Sequence, residues 1–216
     1  FVIHCMIANH YLDGASYPIG GSRNIAETII PVIKNNGGEV VKNCGVDKIW
    51  IKNGKSKGVI LESGEKISSD TVISTTGVHN TIKKLDENKK VLNYYEKKVD
   101  SVEPSSGHAC LYIGFDDSSK NLGIKDTNLW VYPSYNHDQN VIDFNKDQNN
   151  DFPVLYMSFA SSKDPEWNKN YPSKSTMEVI VPSRFENYKQ WANKSWRKRG
   201  QEYEHYKEEL SQRIIK

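Results

Sequence analysis

At 216 residues, with 29 basic against 27 acidic side chains and a formal net charge of +2, the chain has no charge excess that would mark a nucleic-acid partner. Its 37% hydrophobic content suits a polar but foldable globular protein of one large or two small domains. Nothing approaches the run of about 18 apolar residues that a membrane span needs. Three cysteines, Cys5, Cys44 and Cys110, show no C-x-x-C spacing and read as buried thiols, not as a disulfide framework or zinc site.

In chain order, residues 1–21 form an approach segment whose apolar run Val2 to Ala8 fits a helix or a buried strand equally. Tyr17-Pro18-Ile19-Gly20-Gly21-Ser22 then opens a helix to Asn36, with Ser22 as N-cap and Ile25, Ile29, Val32 and Ile33 at helical spacing. Pro31 predicts a kink or 3₁₀ stretch, and Gly37-Gly38 a left-handed stop. Short β-segments follow at Glu39 to Lys42, Val46 to Ile51, Gly58 to Leu61 and Asp70 to Ser74, with Asn53-Gly54 a hairpin signal and Ser63-Gly64 a second turn. Thr81 to Val102 is helix-friendly and broken by Pro104-Ser105-Ser106-Gly107. Four strands are expected beyond it: His108 to Phe115, Leu129 to Tyr132, Val154 to Phe159 and Thr176 to Val181. Ala109, Leu111, Ile113 and Phe115 should share one face, Cys110 and Tyr112 the other. Asn136 to Asp151 reads as a long polar loop, and two helices close the chain near Arg184 to Ala192 and from Tyr203 onward. The start at Phe1 and the stop at Lys216 inside a helical pattern read as those of an interior segment of a longer polypeptide.

Composition and spacing thus give an α/β or α+β protein with no self-contained active site. Walker, G-x-G-x-x-G, H-E-x-x-H and G-x-S-x-G motifs are missing from the sequence. The six histidines show no ligand spacing, so no metal site is expected, and Asp116-Asp117 reads as a turn. Trp130-Val-Tyr132-Pro-Ser-Tyr135 lines a pocket for a long apolar ligand or packs on a core; the pattern fits both. Lys194 to Arg199, with Trp196 inside it, reads first as a solvated loop and second as a contact for anionic lipid or phosphate. Asn193-Lys194-Ser195 is a glycosylation sequon of the kind that arises by chance.

Gly14 to Gly21, the helix ending in Gly37-Gly38, Val46 to Ile49, Gly58-Val59 and Asp70 to Ser74 occur in one order that resembles the middle of the phytoene desaturase, carotenoid isomerase and retinol saturase flavoproteins. Ser161-Ser162-Lys163-Asp164-Pro165 with Trp167, then Pro172, Ser175 to Met177, Val181-Pro182 and Lys198-Arg199-Gly200, resemble the cap region of the same family. The resemblance implies the central part of a two-domain FAD/NAD(P)-binding flavoprotein: residues 1–84 as part of a discontinuous FAD-binding domain, 85–216 as a mixed-sheet substrate-binding domain. It implies FAD as cofactor, NAD(P)H as a candidate electron donor and a retinoid or carotenoid as substrate, with membrane association, at the endoplasmic reticulum in saturase-like relatives. Gly20, Gly21 and Ser22 would face the isoalloxazine, Val46 the adenine, and Ser74, Thr75 and Gly77 the return to the nucleotide domain. Tyr17, Arg23, Asn24, Trp130, Tyr132 and Tyr135 would meet substrate, while no catalytic acid or base is assigned. His79 stands where the resemblance implies an apolar residue. Without the fingerprint turn that holds the pyrophosphate, residues 1–216 alone are expected to hold FAD poorly. Simple turn chemistry is the alternative account of the glycines. The competing functions are a flavin amine oxidase and a lipid-binding or interaction domain without catalysis.

Overall fold

The computed structural model describes residues 2–86, 89–102 and 105–216. In chain order the helices are α1 (Val2–Asn9), α2 (Arg23–Asn35), α3 (Val78–Lys84), α4 (Lys89–Asp100), α5 (His137–Lys146), α6 (Ala160–Lys163), α7 (Trp167–Asn170) and α8 (Gln201–Ile215). The strands are β1 (Val46–Lys52), β2 (Lys55–Leu61), β3 (Lys66–Ser68), β4 (Leu85–Asp86), β5 (Gly107–Phe115), β6 (Leu129–Val131), β7 (Leu155–Ser158) and β8 (Ser175–Ser183), and a 3₁₀ helix covers Phe185–Trp191. They group into two compact units: residues 1–31 with 106–216, and residues 32–105. The mixed α/β content with two sheets is the fold class expected. The compact units divide at other points than 84/85, the boundary drawn above on functional grounds.

In the larger unit, β5, β8, β7 and β6 form one sheet in that order. Its spine is the antiparallel β5–β8 pair, in register from Gly107 opposite Ser183 to Phe115 opposite Ser175. Side chains alternate across a strand, so Ala109, Leu111, Ile113, Met177, Val179 and Val181 fall on one face. That face builds the core with Phe144, Phe152, Leu210 and Ile214. The opposite face carries Tyr112, Tyr156, Ser158 and Glu178. Burial of apolar area at about 25 cal/mol per Å² is what holds helices α5 and α8 to the first face.

In the smaller unit the order is β3-β2-β1-β4. Asn53 and Gly54 take φ of 54° and 68°, the pair of left-handed residues that a type I′ hairpin turn requires. Helix α2 runs as an α-helix through Pro31 without a 3₁₀ stretch, and Ser22 stands immediately before it. It stops at Gly37 (φ 79°), where Gly37 N–H donates to Lys34 O at 3.0 Å and Gly38 N–H to Ile33 O at 2.9 Å, a Schellman arrangement.

Several expectations are corrected. Glu39 to Lys42 and Asp70 to Ser74 are not strands: no strand among the described residues pairs with either, and Ile73 is 87% exposed, so β-propensity alone does not extend the sheet. The helix expected over Thr81 to Val102 splits, because Leu85 and Asp86 leave it to pair in parallel with Ile49 and Trp50. The loop expected over Asn136 to Asp151 contains α5, capped by the Asn136 side chain accepting from Gln139 N–H at 3.1 Å and anchored by buried Phe144. Cys5, Cys44 and Cys110 are exposed thiols; Cys110 lies on the side of β5 away from the core. Pro104 of the expected break, and residues 87 and 88 of the expected helix, lie outside the described residues.

Candidate active-site face

Two glycines set the geometry of the larger unit's polar face. Gly20 and Gly21 take φ of 80° and 83°, a left-handed pair that L side chains rarely adopt. Gly21 N–H donates to Pro18 O at 2.9 Å, closing the turn. A Cβ on Gly20 would stand 2.6 Å from Asn24 Nδ2, whereas the same position on Gly21 meets only the Tyr17 hydroxyl at 3.9 Å. The turn therefore presents a side-chain-free backbone with Tyr17 and Asn24 beside it, the surface a flat ring system needs. Asn24 is held there by donating to Ile19 O. Arg23 is exposed and pairs with Glu27 at 3.1 Å, one helical turn on.

The turn is tied to the sheet. Asp164 Oδ1 accepts from Gly20 N–H at 3.0 Å and from Glu166 N–H at 3.0 Å. The neighbouring Lys163 donates to Asn128 Oδ1 and, at 3.0 Å, to Ser158 Oγ, and its ammonium lies 6.0 Å from the centre of the Tyr17 ring. Asn128 Nδ2 donates to the Tyr156 hydroxyl at 2.8 Å, and the Tyr156 ring packs at 4.7 Å on Trp130. Burial holds the Lys163 amine below the usual lysine range, against the pull of Glu178 and Asp126. Burial raises the Tyr17 phenol, helped by the negative charges of Asp164 and Glu178, and raises the Tyr156 phenol as well.

Trp130 also lines a cleft of about 800 Å³ with Tyr132, His137, Val141, Ile142 and Phe144 among its walls. A site of this size, largely apolar with few polar groups, suits a drug-sized or lipid ligand. Tyr132 stacks edge-on to His137 at 4.4 Å, and burial raises its phenol. Of the aromatic trio, Trp130 and Tyr132 reach the cleft; Tyr135 is 101% exposed and is not among its walls.

The remaining residues expected near a cofactor belong to the smaller unit. Val46 begins β1, and its carbonyl accepts from the Lys84 ammonium. Ser74 Oγ lies 2.7 Å from Thr81 Oγ1, which donates to Gly77 O at 2.8 Å; Thr75 is exposed between them. Gly77 takes φ of 88° with open space where a Cβ would stand. His79 lies 3.8 Å from Asp100 in a recess of about 190 Å³, too small for a polyene. No group of three or more metal-ligating side chains occurs among the described residues, and no described helix is long and apolar enough to cross a membrane.

Lys163, Asp164, Asn128 and Tyr156 received no role from the sequence. The Ser161 to Asp164 motif was visible, but only the fold brings it 144 residues back to Gly20.

No family model matches the chain. Over 96% of its length it is 32% identical to the all-trans-retinol 13,14-reductase of Macaca fascicularis, of which it spans 35%. Over 50% of its length it is 32% identical to the neurosporene-forming phytoene desaturase of Rhodobacter capsulatus, of which it spans 21%. By sequence, the chain is similar to retinol 13,14-reductases and carotenoid desaturases, and it spans about a third or less of the length of these relatives. A solved oxidoreductase from Methanosarcina mazei superposes with a TM-score of 0.60 over 91% of this chain and 39% of its own, at 23% identity, so the fold is shared.

Proposed function

We propose that this chain is part of an FAD-dependent oxidoreductase acting on a conjugated polyene lipid, a retinoid or a carotenoid, with NAD(P)H as a candidate electron donor. The observation that carries the reading is the left-handed Gly20–Gly21 turn, open at Gly21 and flanked by Tyr17, in a chain related over 96% of its length to a retinol reductase. The open backbone at Gly21 suits a flat flavin ring: Gly20, Gly21 and Ser22 would lie along the isoalloxazine, and Val46 at the adenine. Ser74, Thr75 and Gly77 would follow where the chain returns to the nucleotide. When bound, the flavin supplies the two-electron chemistry. The chain's own residues orient the substrate and exclude water: the Trp130–Tyr132 cleft takes the apolar body, and Tyr17, Asn24 and Arg23 border the reacting end.

Functionally we divide the chain into a cofactor-facing part, residues 1–84, and a substrate-binding part, residues 85–216. Residues 1–31 group with 106–216 in compactness; the Gly20–Asp164 hydrogen bond and the place of Val2 and Ile7 in the cleft wall are contacts between these two stretches. We also place the protein at a membrane surface, where its substrate would be dissolved; exposed Trp196 among Lys194, Arg197, Lys198 and Arg199 supports that placement. The test is the absorbance spectrum of the full-length protein, with flavin released by denaturation and quantified. About one FAD per chain is expected. A colourless protein that takes up no added FAD overturns the reading.

A further inference from the structure

The Ser161 to Asp164 motif does more than brace the fold. Ser161 Oγ accepts from Thr176 N–H at 2.9 Å and Asp164 holds Gly20, so both ends of the motif are fixed and Lys163 between them is placed with little freedom. Two of the three N–H donors of its ammonium are accounted for, by Asn128 and Ser158. The third has no acceptor among the described residues, and the ammonium lies 6.0 Å from the centre of the Tyr17 ring. A half-buried ammonium with one unsatisfied donor is costly beside a purely apolar ligand, which displaces water and offers no acceptor in return. The same ammonium is well matched to a ligand oxygen. Burial outweighs Glu178 and Asp126 in holding the amine below the usual lysine range.

We propose that Lys163 is a specificity-determining residue that takes the oxygen-bearing end of a polyene alcohol and so selects it over a hydrocarbon polyene. The inference rests on the polyene reading above and narrows it to an oxygenated, retinol-like substrate. A carotenoid hydrocarbon has no atom to offer the third donor, and a site built around a hydrogen bond discriminates strongly against the analogue lacking it. The Lys163–Asn128–Tyr156–Trp130 chain connects this polar end to the wall of the cleft that takes the apolar body.

The experiment is equilibrium binding to the full-length protein, read by tryptophan fluorescence, with all-trans-retinol and with its deoxy hydrocarbon as probes. Lys163→Met is expected to weaken retinol binding roughly ten- to hundredfold, the loss of one charge-assisted hydrogen bond, while hydrocarbon binding is not weakened and tightens as the unsatisfied donor is removed. Lys163→Arg, which keeps the cation and its donors, should retain most of the preference. If Lys163→Met does not fold, as judged by circular dichroism, Lys163→Gln against Lys163→Arg reads the same contrast. Equal weakening of both probes, or none of either, overturns the assignment and makes Lys163 a structural brace. Wild-type protein that binds neither probe overturns the polyene reading itself, and this inference with it.

Discussion

Tyr17, Tyr132, Tyr156 and Tyr206 each lose water to burial in the folded chain, and burial disfavours the phenolate. Their folded pKa values lie above the ordinary 10.0, so they contribute stability that is complete below pH 10 and is lost as pH rises through the folded values. Lys163 runs the other way: its folded pKa lies below 10.5, so its burial penalty disappears as pH climbs toward that value. In a Lys163→Met background the opposing contribution is gone, and the urea midpoint should fall steadily above pH 10. A midpoint unchanged to pH 11 contradicts the burial of these phenols. The sequence offered Tyr17 and Tyr132 as substrate contacts, because an aromatic beside a glycine turn or in a short strand is visible locally. Tyr156 was hidden: its importance lies in a hydrogen bond to Asn128 and a ring contact with Trp130, both across the sheet.

Elements whose signals are local were legible. The Asn53–Gly54 hairpin, the Gly37–Gly38 stop and the alternation along β5 follow from turn chemistry and the two-residue period of a strand. Segments such as Asp70 to Ser74 were misread, because a strand exists only where a partner is supplied and the pattern does not say whether one is. Leu85 shows the converse, a residue in a helical pattern recruited to a sheet edge by β1. Gly58 is where element geometry is most exacting. Its φ is 125°, and a Cβ there would stand 1.8 Å from Ile67 O of β3, well inside any tolerable contact. Gly58→Ala must therefore both adopt a strained backbone and push β2 from β3. We expect a loss of about 3 kcal/mol or more in the smaller unit, measured by urea unfolding. A loss under about 1 kcal/mol would mean that the β2–β3 pairing is looser than its register implies.

At the scale of the whole molecule, the fold class was legible because two groups of strand signals flank a polar helical stretch. The division into compact units was not, because contacts such as that of Gly20 with Asp164 join stretches 144 residues apart, which no local pattern reveals. The basic loop near the C-terminal helix belongs to this scale too. Trp196 is 73% exposed, the Arg197 guanidinium lies 4.3 Å over its ring, and Arg197 takes φ of 62°. An indole that stays in water while cations gather beside it is poorly placed for a soluble surface and well placed for a lipid interface, where the ring sits at headgroup level and the charges meet anionic lipid. If this loop docks the protein, binding to vesicles containing phosphatidylserine should exceed binding to pure phosphatidylcholine and fall with added salt. Trp196→Ala should weaken both, since it removes apolar insertion, whereas Lys198→Glu with Arg199→Glu should abolish only the preference for the anionic vesicle. Sedimentation with vesicles reads all of these. Equal, salt-independent binding by the wild type and every variant would assign membrane contact to another surface and leave the loop solvated.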